Sequence, residues 1–78
     1  MTQVLSPVPG TFYTQPAPGE PLYKQVGDPV AAGDVVGLIE VMKTFIDVKA
    51  ETTGTFTGYL VDDGAAIGAG APLAEIED

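Results

Sequence analysis

Among its 78 residues the chain has no cysteine, no histidine and no arginine. Without cysteine it can form neither a disulfide nor a thiolate metal site. The absence of histidine removes the commonest general base and the commonest metal ligand, so Ser/His and Cys/His hydrolysis are excluded and no metal site is expected. Cations are also scarce: three lysines face eleven acidic residues, for a net charge of -8. Nucleic-acid affinity rests on cationic contacts, so nucleic acid is not an expected partner. No stretch approaches the roughly 18 apolar residues of a membrane span, and Met1–Val4 is not a basic segment followed by an apolar run. The expectation is a soluble, intracellular protein without membrane contact.

Ten glycines and seven prolines divide the sequence into short apolar runs. That spacing suits an all-β sandwich or barrel, and no segment carries a convincing helical period. Strands are expected over Gly10–Tyr13, Tyr23–Val26, Val35–Val41, Thr44–Lys49, Gly54–Val61 and Leu73–Ile76. In the fourth of these, Ile46 and Val48 alternate with Asp47 and Lys49, as a half-buried strand requires.

An internal repeat organises the rest. Gly27, Gly33, Ile39 and Glu40 match Gly64, Gly70, Ile76 and Glu77 at an offset of 37, whereas Gly10-Thr11-Phe12 matches Gly54-Thr55-Phe56 at an offset of 44. The offsets differ by seven, so the first half holds seven residues that the second lacks, and they lie between Phe12 and Gly27. That interval contains the Pro-rich segment Thr14–Leu22, whose prolines lack the backbone donor a central sheet needs. Two such halves imply a pseudo-two-fold sandwich in which neither half buries its apolar face alone. The symmetry places the turn between Val41 and Thr44 at one pole and the chain ends at the other.

Only Met42 and Lys43 are available to turn the chain between the strands ending at Val41 and starting at Thr44. A hairpin this tight needs positive φ at both turn residues and favours Asn-Gly or Asp-Gly. Met-Lys violates that preference and adds an apolar side chain at an exposed tip, and misfits of this kind concentrate at functional sites. A lysine there is a protruding primary amine, accessible to a modifying enzyme. Lys24 and Lys49 read as ordinary surface charges.

Glu40-Val41-Met42-Lys43 resembles the Glu-Ala-Met-Lys signature of the biotinyl domains within the biotinyl/lipoyl attachment family. Ser6-Pro7-Val8-Pro9-Gly10-Thr11-Phe12-Tyr13, followed by a Pro-rich insertion, is similar to the biotin carboxyl carrier proteins of prokaryotic or plastid-type acetyl-CoA carboxylases. The resemblance runs from about Val4 to Glu77. It implies a flattened all-β barrel-sandwich of two antiparallel sheets over residues 1–78, a single carrier domain with a protruding thumb at about 14–22.

The resemblance further implies biotin amide-linked to the Lys43 ε-amine, flanked by Glu40, Val41, Met42 and Thr44, with the thumb residue Gln15 near the biotin ring. Val41 and Thr44 depart from the family's usual Ala or Ser and Met, and Gln15 stands where Thr is common. The implied partners are a biotin protein ligase, a biotin carboxylase and a carboxyltransferase, and the implied compartment is the cytoplasm or the plastid stroma. The domain itself is not expected to be an enzyme. Two alternatives stand beside this reading: a lipoyl carrier of an oxidative decarboxylation complex, and an unmodified hairpin interaction module.

Overall fold

The computed structural model describes all 78 residues. Eight strands and no helix make up the regular structure: β1 Thr2–Leu5, β2 Gly10–Tyr13, β3 Pro29–Val30, β4 Val35–Val41, β5 Thr44–Lys49, β6 Gly54–Tyr59, β7 Ala65–Ile67 and β8 Pro72–Glu77. They form two four-stranded antiparallel sheets, ordered β1-β8-β6-β3 and β5-β4-β2-β7. The body is flattened, with extents of 33 × 27 × 19 Å.

The expected repeat is present in the sheet order itself. Replacing β1, β8, β6 and β3 by β5, β4, β2 and β7 converts one sheet into the other. Each sheet therefore combines strands of both halves. The turn hydrogen bonds repeat with the same offsets: Gly27 N donates to Phe56 O at 2.8 Å as Gly64 N does to Phe12 O at 2.7 Å. Likewise Gly33 N donates to Ala50 O at 2.8 Å and Gly70 N to Ser6 O at 2.7 Å. All four glycines have positive φ, between 82° and 95°, a backbone that a side chain would strain.

The core is built from symmetry mates. Phe12 and Phe56, Ile39 and Ile76, Val36 and Leu73, and Val4 and Val48 are all buried. Burying a side chain of this size stabilises the fold by about 1.5–3 kcal/mol relative to exposure. Tyr59 joins the two phenylalanines, its ring centroid 4.8 Å from that of Phe56 and 6.0 Å from that of Phe12. The Tyr59 hydroxyl donates to Val36 O at 2.7 Å, so its one polar atom is satisfied at the edge of the core.

Tyr23–Val26, expected as a strand, is not one. Its backbone groups serve the following turn instead: Gln25 N donates to Asp28 Oδ2 at 2.9 Å, and Asp28 N returns to Gln25 O at 2.9 Å. Three strands were not anticipated. β3 is two residues long, β7 is three, and β1 buries only Val4 among its four side chains.

Candidate functional site

The β4–β5 hairpin closes on the pair Val41–Thr44, leaving Met42 and Lys43 as the turn. Their φ values are 49° and 67°, and they are the only non-glycine residues of the chain with positive φ. For an L-residue this left-handed conformation costs about 1–2 kcal/mol. The ladder below the turn, with its register from Val41–Thr44 to Val35–Lys49, holds it in place.

Lys43 is exposed, and Met42 is 94% exposed. Thr44 is exposed beside them, whereas Val41 is half-buried and packs against the core. The six-residue strand β5 carries the chain away from the turn, a run of about 20 Å at roughly 3.3 Å per residue. Beyond its far end, Thr52 meets the Asp78 carboxylate, which also accepts from the Thr2 hydroxyl. The chain ends therefore lie at the open end of the hairpin, remote from Lys43.

Residues 14–23 form a loop that stands out from the sheet. Its neck is closed by Tyr23 N donating to Thr14 O at 3.0 Å, and its tip turns through Gly19, with φ 84° and a hydrogen bond from Glu20 N to Ala17 O at 3.1 Å. Between this thumb and the hairpin lies a groove of about 540 Å³. Pro16 and Pro18 wall it on the thumb side, with Leu38 and Phe45 on the hairpin side.

Gln15 and Glu40 also line the groove. The Gln15 amide donates to Ala17 O at 3.1 Å within the thumb. Glu40 Oε1 accepts from the Tyr13 hydroxyl at 3.1 Å. That hydrogen bond, followed by desolvation and by the charges of Glu40 and Asp63, holds the Tyr13 phenol above its usual pKa, because ionising it would place a second negative charge beside the carboxylate.

The other two lysines are placed differently. Lys24 Nζ donates to Asp34 Oδ2 at 3.2 Å and to Pro29 O at 3.1 Å. Lys49 is the last residue of β5, paired with Val35. Neither is at a turn apex.

Of the residues singled out in the sequence, the structure brings Met42, Lys43 and Thr44 together at the tip, with Glu40 and Gln15 on opposite walls of the adjoining groove. Sequence reasoning missed Tyr13, Phe45 and Asp63. Strand alternation carries a signal for the first: with Phe12 buried, its neighbour must point to the opposite face. Phe45 is 59% exposed, and a large apolar side chain outside on a strand next to the turn is itself informative.

Residues 2–76 match the protein family described as "Biotin-requiring enzyme". The chain is 44% identical over 68 residues to the biotin carboxyl carrier protein of acetyl-CoA carboxylase 2, chloroplastic, of Arabidopsis thaliana, covering 87% of this chain and 27% of that protein. It is 42% identical over 74 residues to the biotin carboxyl carrier protein of acetyl-CoA carboxylase of Pyropia yezoensis, covering 95% of this chain and 47% of the relative. The chain thus spans about a quarter to a half of the length of these relatives. Among solved structures, the urea carboxylase of Kluyveromyces lactis superposes with a TM-score of 0.79 at 34% identity, over 97% of this chain and 6% of that one.

Proposed function

We propose, because this chain belongs to the biotin-requiring enzyme family, that it is a biotin carboxyl carrier domain whose biotin is attached to Lys43. The observation that carries the assignment is the turn itself. A lysine with φ 67°, at the apex of a two-residue hairpin and beside a methionine that is 94% exposed, is held clear of the body of the domain at a conformational cost. A lysine serving only solubility has no need of that strained position.

The residues present fit the group. The Lys43 amine is exposed and free to be acylated, and the adjoining groove is mainly apolar, with Pro16, Pro18, Leu38 and Phe45 set against the polar groups of Gln15, Glu40 and Asp63. Such a lining suits a compact ring system with one polar edge. Attached biotin supplies a ureido nitrogen that takes up a carboxyl group and gives it away. The chain's own contribution is mechanical: the hairpin projects the attachment point, the thumb offers a wall, and tethering raises the effective concentration of the carried group at each active site.

The domain is then a non-catalytic component. Its partners are a biotin protein ligase, a biotin carboxylase and a carboxyltransferase, with acetyl-CoA as the acceptor, in the cytoplasm or the plastid stroma. The support for this assembly is the similarity to carrier proteins of acetyl-CoA carboxylases. The test is intact mass followed by peptide mapping after coexpression with a biotin protein ligase and a lipoate ligase. One biotinyl group on Lys43 is expected. Lipoate at Lys43, biotin on Lys24 or Lys49, or an unmodified chain would overturn the assignment.

A further inference from the structure

Thr14 is the root of the thumb and is only 4% exposed. All of its polar atoms are engaged: its backbone N donates to Asp63 Oδ1 at 2.8 Å, its hydroxyl donates to the same oxygen at 3.2 Å, and its carbonyl accepts from Tyr23 N at 3.0 Å. Asp63 lies 49 residues away, in the loop between β6 and β7.

The repeat supplies an internal control. At the offsets of 44 and 37, Thr14 corresponds to Gly58, and Asp63 to Val26. That pair is also adjacent: a Cβ on Gly58 would lie 3.9 Å from Val26 Cγ2. Here, however, no hydrogen bond is possible between the side chains, and Val26 is 75% exposed. The same structural position is thus Gly58 against Val26 where the second half continues directly, and Thr14 against Asp63 where the first half runs into its insertion. Where the chain runs on directly, no clasp is present. Of the two equivalent positions, only the one where seven extra residues leave the sheet carries a carboxylate that accepts two hydrogen bonds from its partner.

We infer that Asp63 is a positioning residue, fixing the root of the thumb and thereby the width of the groove beside Lys43. The inference deepens the carrier reading, on which the meaning of the groove depends. Asp63 also lines the groove, so the residue that clasps the thumb root is itself part of the lining. Tyr13, adjacent to Thr14, adds a second tie through Glu40 to the strand that leads into the turn.

The test is amide hydrogen exchange by NMR on the unmodified chain, comparing wild type with Asp63→Val, which copies the other half, and Asp63→Asn, which keeps an oxygen acceptor. In Asp63→Val the Thr14 and Tyr23 amides should exchange about 10- to 100-fold faster, the loss expected for a hydrogen bond to a charged group. Amides of the central strands β4 and β8 should keep their protection, and Asp63→Asn should restore most of the thumb's. Unchanged thumb protection in Asp63→Val, or an equal loss in β4 and β8, would overturn the inference.

These measurements need no biotin, so they can fail while the Lys43 assignment stands, and the reverse. On biotinylated chains, the amide shifts that attachment causes at Gln15, Ala17 and Gly19 in the wild type should shrink in Asp63→Val. Full retention of those shifts would show that the clasp does not position the wall.

Discussion

The Tyr13 hydroxyl donates to Glu40 Oε1 at 3.1 Å, and so ties the strand that leads into the thumb to the strand that leads into the hairpin turn. The two arms of the groove are linked across the sheet three residues before Lys43. Tyr13→Phe removes the donor and keeps the ring. Denaturant unfolding should show a loss of about 0.5–1.5 kcal/mol, the usual net worth of one hydrogen bond, and an unchanged m-value would place the loss in the native state.

Lys43→Arg should abolish biotinylation, read by intact mass, and leave the unfolding free energy within about 0.5 kcal/mol of wild type, since the side chain is exposed at a tip. Lys24→Arg and Lys49→Arg should remain fully modified.

Replacing Met42-Lys43 by Asn-Gly should stabilise the domain by about 1 kcal/mol while removing the attachment point. Both residues occupy left-handed backbone, and Asn-Gly relieves most of the conformational cost, offset in part by the entropy of glycine. A stability equal to or below wild type in urea titration would contradict the strain argument.

Gly10→Ala should destabilise by about 1–3 kcal/mol, the cost of overpacking. A Cβ there would come within 2.6 Å of Glu40 O and 2.7 Å of Ile39 Cγ2, backbone and core atoms that cannot simply swing away. Gly19→Ala would meet nothing within 4 Å, and its cost should come from its positive φ alone.

Stability should fall at both extremes of pH for different reasons. Asp34 is held below its ordinary 3.8 by the Ala31 amide and then by Lys24. A depressed folded pKa gives stability that is present above the unfolded value and lost as pH falls through the folded one, so its contribution disappears on acidification below about 3.8. Burial pushes Tyr59 up from 10.0 to about 12, and Tyr13 is raised too. The Tyr59 contribution is complete below pH 10 and should be lost as pH climbs from 10 toward 12, and that of Tyr13 is lost in the same direction, as pH rises above 10. Thermal unfolding across these windows, compared with Asp34→Asn and Tyr59→Phe, checks both signs.

The repeat was legible because its glycines sit at positive-φ turns that tolerate little else, and its phenylalanines and isoleucines fill equivalent places in one core. The lysine at the hairpin apex was legible because the turn had only two residues to spare. β1 and β3 were not, since one buried valine next to an exposed leucine and a two-residue bridge leave almost no periodic signal. Tyr23–Val26 has strand-like composition, but the Tyr23 amide is taken by Thr14 O at the neck of the thumb and the Gln25 amide by Asp28. The thumb clasp escaped notice for a different reason. Thr14 and Asp63 meet only after the sheets close, and the contrast with Gly58 and Val26 acquires meaning only once those pairs are known to touch.

The exchange of strands between the two halves bears on how such a chain is loaded. The β4–β5 hairpin sits beside β2, which pairs with β7 from the other end of the sequence. No half of the chain can complete that sheet alone, and the left-handed pair at the turn is held only by a finished ladder. In an unfolded or truncated copy Lys43 is one more flexible side chain. An enzyme that grips the strained turn, rather than a stretch of sequence, therefore inspects the whole domain before modifying it, and cofactor would not be spent on chains that have failed to fold.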